Sequence, residues 1–239
     1  MRKNLYLMFQ IILGFVIYSL LASVIDNMFV LLAIIITLGV IIIVARTLYI
    51  RNEADVLEVL VNPPKHFDNI KKYENRDPNK YKTLLAYGLT YSGDFEEAQS
   101  VIDTIYYKDI KTSRNLHYSY YATKLHLAYN NKDRELYGQI LNAAKELEVF
   151  KKVNVPESAF DAHLLLLEGQ SERAEELLKN VIPIVKKRIL VVELEYLLAL
   201  AYLNQGNITD CKAICEFVIE KNYPVVHSAL CKELIKNTV

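Results

Sequence analysis

Cys211, Cys215, His227 and Cys231 are the residues whose types and spacing come nearest to a reactive centre. Each pair is four positions apart. On neighbouring antiparallel helices the four soft side chains would face one another, and such a set can hold zinc tetrahedrally. The alternative is packing: Cys211 and Cys215 fall where two helices need small or apolar residues, and a buried free cysteine behaves as a small hydrophobe. Three cysteines cannot all pair with one another, which fits a reducing compartment better than a disulfide framework. The other histidines, at 66, 117, 126 and 163, are dispersed and read as surface or groove groups rather than general bases. With seven glycines in all, no phosphate loop, nucleophile elbow, zinc-protease helix or paired aspartate motif is found. Packing is therefore the reading carried forward for the cysteines, with zinc as its alternative. No catalytic residue, metal or cofactor is assigned, and the chain is expected not to be an enzyme.

The elements that would position these residues follow from the distribution of charge. The 239 residues include 28 Lys+Arg and 28 Asp+Glu and are 52% apolar, which excludes a disordered or nucleic-acid-coating chain. The balance is uneven along the sequence, because the first fifty residues hold only Arg2, Lys3, Asp26 and Arg46. Two uncharged runs, 4–25 and 27–45, are each about long enough to cross a ~30 Å hydrocarbon core as a helix. Residues 1–50 are thus expected to form a transmembrane hairpin with spans at about 5–24 and 28–48. Basic residues flank its outer ends, so both termini are expected in the cytoplasm and the protein in the membrane as a two-pass integral protein. A cleavable signal peptide is the rival account of residues 1–22. Residues 51–79 are expected to be a juxtamembrane helix and linker, the helical period of 46–61 being stopped by Pro63 and Pro64.

From residue 80 onward the texture is helix-turn-helix, repeated. Gly93, Gly169 and Gly206 mark three turns, 76 and 37 positions apart. A fourth turn, at Asn130 to Asp133, lies midway between the first two and lacks glycine. Four units with a period near 37 or 38 result. The stretch from Val226 repeats the helical period once more at Leu230 and Leu234 and is expected to be a C-terminal capping helix. Tyr118, Tyr121, Leu125 and Tyr129 share one helical face, for which packing is the expected role. Asn207-Ile208-Thr209 spells a glycosylation acceptor but falls in a repeat turn, where it is read as incidental.

These units resemble the tetratricopeptide repeat family. Leu198, Ala199, Tyr202 and Gly206 stand in the family's order, Leu85, Ala86, Gly93 and Ala98 do so in the first copy, and Ala162, Gly169 and Ala174 in the third. The early tryptophan is missing from every copy, and the period is a few residues too long. The resemblance covers roughly residues 80–222 and implies an all-α architecture: a transmembrane helical hairpin followed by a TPR-like α-solenoid of about four helix-turn-helix repeats, in a cytoplasmic domain spanning 80–239. It implies a concave groove lined by Tyr87, Tyr91, His126, Asn130, His163, Tyr196 and Asn204, with aromatic and amide groups suited to a bound protein or peptide segment. The expected function is a membrane-anchored scaffold or adaptor binding a protein partner at the cytoplasmic membrane surface. The alternative is a structural subunit assembling through its transmembrane hairpin. Nucleic acid is not expected as a partner, since residues 51–239 carry 25 basic against 27 acidic side chains.

Overall fold

The computed structural model describes residues 61–110 and 113–237, with Thr37, Gly39 and Val40 besides. The chain divides into two compact units, Met1–Ala54 and Asp55–Val239, and the helices named below all belong to the second. They are α1 (Pro63–Ile70), α2 (Pro78–Ser92), α3 (Phe95–Ile102), α4 (Tyr107–Ile110), α5 (Arg114–Asn130), α6 (Arg134–Glu146), α7 (Val149–Lys152), α8 (Ser158–Leu167), α9 (Ser171–Val181), α10 (Arg188–Asn204), α11 (Ile208–Glu220) and α12 (Val226–Asn237). No strand occurs among the described residues, and the fold class is all-α.

Four helix pairs, α2/α3, α5/α6, α8/α9 and α10/α11, are each joined by a short turn at the place the sequence indicates. The turns are built by backbone conformation. Gly93, Gly169 and Gly206 have φ of 92°, 73° and 76°, the left-handed region that lets a helix terminate and release the chain. In the glycine-free turn Lys132 takes the same role at φ 56°. In two of the four turns the next helix then starts on a side-chain cap: Asp133 accepts from Leu136 N at 2.9 Å and Asn207 from Asp210 N at 3.3 Å, each satisfying an N–H that the first turn leaves free. The Asn207 side chain is thus a helix cap.

The first helices of the pairs contact one another in series, α2 with α5, α5 with α8 and α8 with α10, while each second helix packs behind its own partner. One contact breaks this order. Helix α12 packs on α11 and α10 and also reaches α2, so the closing helix meets the first pair as well as the last. Fully buried Tyr87, Tyr91, Tyr118, Tyr137, Phe150 and Phe160 are the largest core side chains. Of the face shared by Tyr118, Tyr121, Leu125 and Tyr129, Tyr118 and Leu125 are buried, and Tyr121 and Tyr129 pack half-buried against the same core.

Two expectations are corrected. Pro63 and Pro64 do not lead into an extended linker; they open α1, whose N-cap Asn62 accepts from Lys65 N at 3.2 Å, because proline lacks an N–H where the first turn has no use for one. Helix α1 is packed on α2 through buried His66, whose Nε2 lies 2.9 Å from the Leu84 carbonyl oxygen, so residues 63–73 are part of the folded unit and not a linker. The second correction concerns the membrane: no helix among the described residues is long and apolar enough to cross one, which stands against a two-span integral membrane protein. The longest, α5 and α10, have 17 residues, about 26 Å at ~1.5 Å per residue, and α10 carries two glutamates in its middle. The stretches 5–24 and 28–48, apart from Thr37, Gly39 and Val40, lie outside the described residues, as does the helical period of 46–60.

The turn chemistry makes a test with two signs. A Cβ at Gly169 would meet nothing within 4 Å, so Gly169→Ala isolates the cost of the left-handed backbone, about 1 kcal/mol. Lys132→Gly should raise stability by about 0.5 to 1 kcal/mol for the same reason. Urea denaturation followed by circular dichroism should show opposite shifts in midpoint with an unchanged slope.

Candidate functional site

The sequence of α10, RILVVELEYLLALAYLN, places two carboxylates two positions apart in an otherwise apolar helix. Residues so spaced cannot share a face, and packing on α8, α9, α11 and α12 leaves neither one in water: Glu193 is 1% exposed and Glu195 6%. Glu195 pairs with Lys221, the residue that caps the end of α11. Glu193 points the other way, toward the first helices of the three earlier pairs. Tyr91 of α2 donates its hydroxyl to Glu193 Oε2 at 2.7 Å. His126 of α5 and His163 of α8 bring their Nε2 atoms to 3.0 and 2.9 Å from Oε1. One carboxylate therefore gathers side chains from all four pairs.

Burial by itself would raise the Glu193 pKa. The charge of His126 and the polar contacts of His126 and His163 outweigh it and hold the carboxyl well below its ordinary range. The same burial, with the nearby carboxylate, lifts the Tyr91 hydroxyl well above its ordinary value, so it stays protonated and serves as donor. His227 of α12 sits beside the cluster, its ring 5.8 Å from Tyr91 and 5.4 Å from Tyr196. Desolvation lowers its pKa to about 4, and it is neutral at physiological pH.

Above this cluster opens a cleft of about 600 Å³, within the size range of ligand pockets. Of the seven residues the resemblance placed in a groove, five line it: His126, Asn130, His163, Tyr196 and Asn204. Tyr87 and Tyr91 do not. They are 1% and 0% exposed, because α5 and α12 both pack on α2; Tyr87 donates to Tyr118 Oη at 3.3 Å, and Tyr91 acts from behind on Glu193. Thr90, Tyr129, Lys132, Glu193, His227 and the leucines of α8 and α10 also line it. Glu193 was the residue missed from sequence. Its signal was a carboxylate pair in an apolar run whose spacing admits no common exposed face.

The cysteines take the packing role. Cys211, Cys215 and Cys231 are free and buried, and burial pushes the Cys211 thiol up to about 11. Such thiols stay protonated and are poor ligands or nucleophiles. His227, the fourth member of that set, lines the cleft, and no group of three His, Cys, Asp or Glu among the described residues could hold a metal ion.

No family model, curated protein or solved structure matches this chain.

Two measurements probe the cluster. Glu193→Ala leaves Tyr91, His126 and His163 without their common partner and should cost about 3 to 5 kcal/mol, as breaking buried pairs does; Tyr91→Phe should cost about 1 to 3 kcal/mol. Stability in acid separates His227 from Glu193. Between an ordinary histidine pKa of about 6.5 and about 4, the unfolded chain binds a proton that folded His227 refuses, so stability falls with pH through that window. Glu193 has a depressed pKa, so its contribution is intact above the ordinary carboxylate range and is lost only as pH falls below it. His227→Phe should flatten the urea-midpoint profile above about pH 4 while leaving the drop at lower pH.

Proposed function

We propose that this chain is a scaffold or adaptor, built as a TPR-like α-solenoid of four repeats, that binds a segment of a protein partner in the cleft over Glu193. The observation that carries the reading is the convergence of five expected groove residues, from three different helix pairs, on one cleft of about 600 Å³. Serial contact of the first helices, α2 to α5 to α8 to α10, supports the repeat architecture, because a two-helix unit cannot bury its apolar face alone and neighbours must stack.

The lining suits a peptide segment more than a reaction. Tyr129 and Tyr196 offer rigid aromatic area, Asn130 and Asn204 stand at the exposed edge with free amide groups to offer a backbone, and leucines of α8 and α10 supply an apolar wall. Among the described residues the thiols are buried, and His126 and His163 are engaged with Glu193. A protein is preferred to nucleic acid because acidic side chains slightly outnumber basic ones over residues 51–239.

The test is a quantitative comparison of partners captured by full-length protein and by an Asn130→Ala/Tyr196→Ala/Asn204→Ala variant. These residues lie at the cleft wall and rim, and none is fully buried. The adaptor reading expects a defined partner to fall at least about tenfold, in line with loss of one or two binding anchors at ~1.4 kcal/mol or more. An unchanged partner set, with the variant folded, contradicts it.

A further inference from the structure

Helix α12 is a lightly held wall of the cleft. Its residues Val226, His227 and Leu230 line the cleft, and by packing on α11, α10 and α2 it joins the last helix pair to the first. Yet Ser228 and Cys231 are the only buried residues of its twelve. The contact is also imperfect in its hydrogen bonds. His227 Nδ1 and Ser228 Oγ are both buried without a partner, whereas buried polar groups in native proteins nearly always find one. Two of the five such atoms among the described residues thus fall on adjacent positions of this one helix, and each sets a desolvation cost against docking.

The His227 ring is half-buried and packs between Tyr91 of α2 and Tyr196 of α10, with centroids 5.8 and 5.4 Å away. Loss of water works against a proton on this ring; the Glu193 carboxylate draws one in, and His126 and His163 work against it. Burial keeps the hydroxyls of Tyr91 and Tyr196 protonated. Helix α11 brings Cys215, whose thiol is held protonated by its contact with Cys231 and by burial. Glu233 of α12 acts on Tyr196, and Lys132 adds a cation to the cleft lining. An imidazolium has two N–H donors, and while α12 is docked the one at Nδ1 has no acceptor. Water supplies that acceptor once the helix leaves.

We propose that α12 is a latch released by acid: protonation of His227 frees the helix from α2 and α10 and takes away one wall of the cleft. The four pairs stay joined, because the contacts of Glu193 with Tyr91, His126 and His163 are made without α12. In the released helix His227 is an ordinary histidine, with a pKa of about 6.5; docked, its pKa is about 4. The docked helix is therefore at full strength above the first value and weakens as pH falls toward the second. Docking is about thirtyfold less favourable at pH 5.0 than at pH 7.5 by this linkage. Release also uncovers Cys231, which is buried while the helix is in place. Discharge of a bound partner in acid is the consequence that rests on the cleft being the partner groove; the latch itself is readable without a partner.

Thiol labelling of the full-length protein with 4,4′-dithiodipyridine at pH 7.5 and 5.0 decides it. Labelled cysteines are identified by peptide mass, and each rate is divided by that of free cysteine at the same pH. The normalised Cys231 rate should rise at least tenfold at pH 5.0, with little dependence on dilute urea, the mark of a local opening. His227→Phe should abolish the rise, and His227→Leu serves as second variant should the first not fold. An unchanged Cys231 rate, a rise that survives in the His227 variant, or a urea dependence as steep as that of global unfolding would overturn the proposal. If partner capture depends on the cleft while Cys231 labelling ignores pH, the latch is refuted and the adaptor reading stands. If Cys231 responds as expected while capture ignores the cleft, the latch stands and the adaptor reading fails.

Discussion

The structure depends on one buried carboxylate. Glu193 lies on the first helix of the fourth pair, and its two oxygens are met by Tyr91 of the first, His126 of the second and His163 of the third. In a repeat array each unit ordinarily touches only its neighbours, so stability is a sum of local terms. Here a polar interaction spans 102 positions in sequence between Tyr91 and Glu193. An isolated charge at that depth would be prohibitive; it is tolerated because every element that approaches it brings a polar group. Glu193, His126 and His163 also line the cleft, so what joins the units also shapes the surface on which the proposed function rests.

The apolar core explains why the carboxylate is held so still. Tyr137 donates its hydroxyl to the Phe160 carbonyl at 2.9 Å, bridging the second and third pairs, and stacks near His163 with ring centroids 6.0 Å apart. Phe160 in turn lies 4.5 Å from Phe150. Seventeen tyrosines in a chain without tryptophan acquire a reason here: a phenol supplies aromatic area together with a donor that can end on a carbonyl or carboxylate deep in the fold. Helix α12 closes the arrangement by setting Val226 against the Gly93 turn and His227 against Tyr91 and Tyr196.

Much of this was legible in the residues. Helix pairs were readable because glycines at 93, 169 and 206 are backbone requirements, and a left-handed residue after a helix leaves a compositional mark. The fourth turn was readable only from the interval between the others, since Lys132 bears no such mark. The five groove residues that line the cleft were placed by aligning the copies. Tyr87 and Tyr91 were misplaced because alignment assumes an open concave face, and the return of α12 onto α2 is a long-range contact with no local signature. The helix that begins at Pro63 was missed because proline stops a helix from within and also suits the first turn of the next. Glu193 was hidden for a plainer reason: a carboxylate is taken for a solvent-facing residue until the partners that bury it are known, and those lie 30 to 102 positions away.

The claim that one carboxylate couples the four pairs is tested most directly by hydrogen exchange of the full-length protein, with and without Glu193→Gln. Amide protection should fall together in α2, α5 and α8, the helices carrying Tyr91, His126 and His163, by similar factors. Loss of protection confined to α10 and its immediate neighbour α11 would contradict it.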